Sequence, residues 1–223
     1  YQLDAGSYRE VILCLWYGLR LSLKTTGIIV LISAVFATLP QLFFTKWPSD
    51  LLRKVISSLS VVLFTVLFFA RVPYYKIFNS GFNIMLINGM YDDISAIIDT
   101  AVNEYQLLWR LPAAIICGII LAWILCKFLD TRTYKIKFIS KNKRWLYSFG
   151  IIIFLTIFWI FVRYGGAFSY AKSVNWESAE RLKSNLLNEA ILDDGQALYR
   201  VKSIAGKIKK INNISISADE LRQ

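Results

Sequence analysis

The sequence predicts an all-α fold: a polytopic bundle of transmembrane helices followed by an extracytoplasmic amphipathic linker helix. Three observations carry this prediction. Four long runs contain no charged residue, a short segment between the last two runs collects seven cations, and the composition changes abruptly near residue 164. Of 223 residues, 56% are hydrophobic, and the apolar surplus sits in the runs instead of being spread along the chain. Soluble domains carry about 45–50%.

The runs cover residues 25–44, 55–70, 111–126 and 145–162. A hydrocarbon core of ~30 Å takes about 20 helical residues to cross. The second and third runs have 16 residues each, and Lys54, Arg71, Arg110 and Lys127 at their ends can snorkel to make up the length. Pro40 and Gly118 are irregularities that a membrane helix tolerates, and Trp145, Tyr147 and Trp159 read as interfacial aromatics. Residues 8–24 are apolar but broken by Arg9, Arg20 and Lys24, which suits an interfacial helix or a snorkelling end of the first span.

Orientation follows from basic residues in short loops. Residues 127–144 hold Lys127, Arg132, Lys135, Lys137, Lys141, Lys143 and Arg144 against one acid, Asp130, and are expected in the cytoplasm. Alternation then puts residues 46–54 in the cytoplasm too, and residues 71–110 and everything after Arg163 outside. The outer loop agrees, with four acids against three basic residues. Residues 1–24 also fall outside, so a fifth span is expected upstream of Tyr1. The chain divides into a transmembrane domain, residues 1–163, and a juxtamembrane linker, residues 164–223.

The linker opens with a Gly165-Gly166 turn. Asn175 is the expected N-cap of a first helix, with Glu177 in its first turn, where the helix dipole favours an acid. Leu187, Ile191, Leu198 and Val201 recur at helical spacing and form an apolar stripe. Asp193, Asp194 and Gly195 interrupt it, which predicts two helices or a bend. Residues 212–223 read as a linker into a following domain.

The chain contains no histidine, the commonest general base and metal ligand. Cys14, Cys117 and Cys126 all lie in apolar runs and read as small buried hydrophobes. Asp92-Asp93 and Asp193-Asp194 read as caps or turns, because sequence neighbours point different ways on a helix. No catalytic residue or metal ligand is assigned. The net charge of +11 reads as loop charge and lipid contact, not as a nucleic-acid surface. Arg20, Lys24, Arg71 and Lys76 fall on the expected outer side, with Tyr74, Tyr75, Phe78 and Phe82 among them. These cations either snorkel to lipid phosphates or form a shallow site for an anionic headgroup, with arginine forking onto phosphate. The rings are either its apolar wall or an aromatic belt.

Three stretches, YGLRLSLKTTG, RVPYYKIFNSGFN and NWESAERLKSNLLNEAILDDGQALYRV, carry a resemblance. They resemble the membrane portion of lipoteichoic acid synthase-like proteins, phosphoglycerol transferases of the sulfatase and alkaline-phosphatase superfamily. That family carries an acid just after its GLR stretch, where this chain has Ser22. The resemblance implies a bacterial cytoplasmic-membrane protein with five membrane helices, an outer linker helix and then an extracytoplasmic α/β catalytic domain. That domain would bring a threonine nucleophile and a divalent metal, manganese or a relative, held by acids and histidine. None of this is in the chain, so the resemblance implies the membrane anchor of such an enzyme. The implied partners are phosphatidylglycerol-like anionic lipids and the catalytic domain of the same protein, which would move phosphoglycerol onto a polymer or glycan or act as a related hydrolase. The candidates for headgroup or domain docking are Arg20, Lys24, Arg71, Tyr74, Tyr75 and Lys76. The alternative is a small polytopic transport or scaffold subunit. Transport usually needs charged or polar groups inside spans, and here the spans offer hydroxyls and one glutamine amide.

Overall fold

The computed structural model describes residues 8–44, 46–89, 94–129, 141–175, 177 and 182–220. Asp92-Asp93, the loop cations Arg132, Lys135 and Lys137, and Trp176 lie outside the described residues. The described residues are helical, with no strand. In chain order they form α1 (Tyr8–Ser33), a π-helical turn (Ala34–Thr38), α2 (Leu39–Phe43), α3 (Ser49–Phe78), α4 (Met85–Asn88) and α5 (Ile94–Asn103). Then follow α6 (Leu107–Leu129), α7 (Lys141–Arg163), a 3-10 turn (Tyr170–Lys172), α8 (Asn185–Ile191) and α9 (Asp194–Glu220).

Four helices are long and apolar enough to cross a membrane: Tyr8–Phe43, Ser49–Phe78, Leu107–Phe128 and Trp145–Arg163. The chain is thus built as a multi-pass membrane protein, as the four uncharged runs predict. Each helix outlasts its run, because polar flanking residues continue it. Residues 8–24 are the direct N-terminal extension of the first span, which settles them as the continuous end of that helix. Outward-facing Ile116, Ile119, Ile120 and Trp123 on α6, and Phe149 and Phe154 on α7, are exposed as lipid-facing side chains are.

Pro40 explains the π-helical turn before it. Proline has no N–H to give and its ring crowds the carbonyl four residues back. That carbonyl, Phe36 O, instead accepts the Trp47 indole N–H at 2.9 Å. The freed group is therefore satisfied by a neighbouring side chain, as membrane helices require.

The spans pair through glycines, which let backbones approach where no hydrophobic effect drives helices together. On α1, a Cβ at Gly27 would lie 2.4 Å from Cγ2 of Val162 on α7. On α6, a Cβ at Gly118 would lie 3.0 Å from Val62 Cα on α3. Ser58 and Cys126 extend the second pair at 3.2 Å. Phe43 meets Trp145, ring centroids 6.4 Å apart, so α1–α2 and α7 run antiparallel. The first half of α1, the end of α3 and the tail after α7 thereby share one end of the bundle.

The tightest apolar packing is at that end, not between the spans. Leu21, Phe82, Val174, Ile191, Leu192 and Val201 belong to one buried cluster that joins α1, the segment after α3 and the tail. Leu187, Ile191 and Val201 of the expected stripe are buried, and half-buried Leu198 packs against them. The tail bends between α8 and α9 at Leu192-Asp193, as the Asp-Asp-Gly interruption predicts. The helix expected after Asn175 falls largely outside the described residues, with Glu177 in 3-10 conformation. One expectation differs. Residues 212–220, read as a linker, continue α9 as helix to Glu220.

Val162 is β-branched, buried and stiff at χ1. Replacing Gly27 by leucine should therefore lower stability by about 1–3 kcal/mol through overpacking. Gly150→Leu, where nothing lies within 4 Å, should leave it nearly unchanged. Thermal unfolding of the two variants in detergent checks this; equal losses would contradict the α1–α7 contact.

Candidate functional site

The uncharged part of α3 ends at Arg71, and the residues from there to Asn83 form a receptacle for the tail. A helix end leaves its last carbonyls without internal partners. The last turn of α8 is such an end, and Arg71 caps it. Its Nη1 donates to Leu192 O at 2.8 Å and to Asp194 Oδ1 at 3.3 Å. Its Nη2 donates to Glu189 O. One guanidinium so bridges the end of α8 and the first residue of α9, with a fork geometry that lysine lacks.

Glu189 is the second hub. Its Oε2 accepts the Gly81 N–H at 2.7 Å, and both carboxylate oxygens receive Arg200, at 3.2 and 3.3 Å. Arg200 Nη2 also donates to Phe82 O at 3.2 Å. A Cβ at position 81 would sit 2.8 Å from Glu189 Oε2, so any larger residue would displace this carboxylate. The loop is shaped for this approach. Asn79 takes the left-handed conformation, φ 50°, and ends α3. Tyr74 stacks on Phe78 and Phe82, with centroids 4.5 and 5.2 Å apart, and its hydroxyl donates to Asn83 Oδ1 at 2.6 Å.

On the α1 side, Asp193 caps α9 and grips α1 at once. Its Oδ1 accepts the Gln196 N–H at 2.8 Å, the geometry of an N-cap. Both its carboxylate oxygens accept from the Thr25 hydroxyl, at 3.0 and 2.9 Å. Gly195 fits between α1 and α3, where a Cβ would lie 2.7 Å from Thr25 Cγ2 and 3.2 Å from Phe64 Cε1.

A second set of contacts holds the start of the tail. Gly165 and Gly166 turn the chain with φ of 62° and 79°, a conformation glycine adopts without steric cost. Arg20 Nε then donates to Gly165 O at 2.7 Å and its Nη2 to Lys172 O. Both of these Arg20 contacts are to backbone carbonyls. Lys24 is buried and gives one proton to Asn175 Oδ1 at 2.8 Å. The expected N-cap is thus a neutral acceptor for a desolvated ammonium.

Burial raises the Asp194 carboxyl above the usual aspartate range, against the pull of the Arg71 guanidinium beside it. An ionised Asp194 here depends on Arg71 for compensation.

The structure therefore brings Arg20, Lys24, Arg71 and Tyr74 into one arrangement, a docked tail. Tyr75 is half-buried and engaged beside them, and Lys76 is exposed in the last turn of α3. Sequence reasoning missed Glu189, Arg200, Thr25 and Gln196. Glu189 and Arg200 could have drawn notice as charges set among the apolar stripe. Nothing in one sequence pairs Arg200 with a carbonyl 118 residues away. Among the described residues no group of three His, Cys, Asp or Glu converges. No protein-family model, curated protein or solved structure matches this chain.

The Glu189–Arg200 side chains are 13% and 10% exposed, whereas the Lys207–Glu177 pair is 63% and 56% exposed. Glu189→Ala should cost docking about 3 kcal/mol by leaving Arg200 buried and unpaired. Glu177→Ala should cost less than about 0.5 kcal/mol. Limited proteolysis of the segment after Gly166 reads the difference; equal susceptibility in both variants would contradict a structural role for the buried pair.

Proposed function

We propose that this chain is the membrane anchor and substrate-presenting module of an extracytoplasmic enzyme, a lipoteichoic acid synthase-like phosphoglycerol transferase of the sulfatase family. Its site of action is the outer face of a bacterial cytoplasmic membrane. The observation that carries the anchoring role is the double fastening of the tail. Arg20 and Lys24 hold residues 165–175, and Arg71, Glu189 and Asp193 hold the α8–α9 bend. α9 therefore leaves the bundle from a fixed point, and 27 helical residues extend about 40 Å at 1.5 Å each.

Such a device suits chemistry in which the donor is a membrane lipid and the catalyst is a domain beyond the membrane. Holding the two at one height raises their effective concentration without any new contact. Fixing their orientation contributes further, up to about 7–11 kcal/mol in well-oriented cases. The resemblance of residues 17–27, 71–83 and 175–201 supports the transferase assignment, and the seven cations expected in the cytoplasm support an outer location for the tail. In this reading the chain itself contributes position, while nucleophile, metal and metal ligands belong to the domain that follows.

In the full-length protein, Arg71→Ala should lower turnover of phospholipid in vesicles by about tenfold, a loss of positioning, and should spare a water-soluble phosphodiester. Equal loss on both substrates would overturn the presenting role, and a gene with no threonine-nucleophile domain after Gln223 would overturn the transferase assignment.

A further inference from the structure

A cleft of about 420 Å³ opens between α1 and α7 beside the Gly165-Gly166 turn. Trp16, Leu19, Leu23 and Phe161 make it largely apolar, Ser22 and Thr26 complete the α1 side, and Arg20 is the one charged residue that lines it. Two of the five guanidinium N–H groups hold the carbonyls of Gly165 and Lys172. The other three have no partner among the described residues, so a donor fork is fixed in place with spare capacity.

Among the residues that line the cleft the charge is positive. Arg20 and Arg163 both lie close enough to Lys24 to repel its ammonium. Asp193, which contacts Thr25 next to the cleft residue Thr26, is spent on that hydroxyl and on the start of α9. Depth agrees with charge. From Thr25, where the apolar run begins, to Arg20 is about 7.5 Å along a helix. The headgroup layer adds about 5–8 Å on each side of the hydrocarbon core. Arg20 therefore stands within the lipid headgroup layer.

We propose that this cleft binds one anionic phospholipid, with its phosphate on the spare N–H groups of Arg20, an acyl chain running inward against Leu23 and Phe161, and Trp16 and Leu19 flanking the headgroup. The lipid fills the space under the turn and offsets the local excess of cations, so it acts as a structural ligand of the tail dock. A fixed guanidinium suits phosphate, since charge-assisted bonds are about twice as strong as neutral ones. An apolar cleft at membrane depth has acyl chains as its immediate surroundings. This inference stands on the cleft and does not require the transferase assignment.

The test is native mass spectrometry of the chain released from nanodiscs of equal phosphatidylserine and phosphatidylcholine. One phosphatidylserine should remain bound, enriched about tenfold over phosphatidylcholine, as expected for a charge-assisted contact. Arg20→Gln should reduce that retention about fivefold or more. Thr26→Trp, which fills the cleft and touches no tail contact, should do the same and serves if Arg20→Gln fails to fold. Arg110→Gln, at the start of α6, should leave it unchanged. Equal retention of the two lipids, or wild-type retention of phosphatidylserine by Thr26→Trp, would overturn the proposal. Loss of retention by Arg110→Gln as well would do so too, because it would mark diffuse surface attraction.

Discussion

A guanidinium at the end of an uncharged span must find polar partners, and in this chain Arg71 finds them in a helix end that has none of its own. The carbonyls of Glu189 and Leu192 and the carboxylate of Asp194 converge on it. Backbone that leaves regular structure near a bilayer is tolerated where protein buries it. Arg71, Thr25 and Asp193 supply partners to the α8–α9 bend, so an irregular segment sits against the bundle.

The arrangement divides the work between two kinds of packing. Between the spans, α3 and α6 make the most extensive helix–helix contact, and the close approaches rest on small residues, Gly27 against Val162 and Gly118 against Val62. At the tail end it is dense, with Leu21, Ile191 and Leu192 almost fully buried. The apolar cluster supplies the attraction there. The charged contacts supply direction, because buried ionic groups are costly unless their geometry is satisfied. A tail held by both is a rigid extension of the membrane domain, not a tether.

The spans were legible because an uncharged run of bilayer length has few alternatives. Their ends were not, since Ser49, Tyr74 or Leu107 can continue a helix beyond the apolar stretch that announces it. The bend was legible in Asp193, Asp194 and Gly195, and the stripe in Leu187, Ile191, Leu198 and Val201. The basic residues of the candidate site were visible as cations near a membrane edge, and Tyr74 as a ring among them. Their partners were invisible. A carbonyl carries no sequence signature, and Arg20 and Arg71 bond carbonyls.

The central claim is that Arg71 holds the tail bend in a protected, fixed state. Amide hydrogen exchange in nanodiscs reads this directly. Residues 187–201 should exchange slowly in the wild-type chain and quickly in Arg71→Ala, while α6 and α7 keep their protection. Fast exchange of that segment in the wild type, or no change on removing Arg71, would contradict the account.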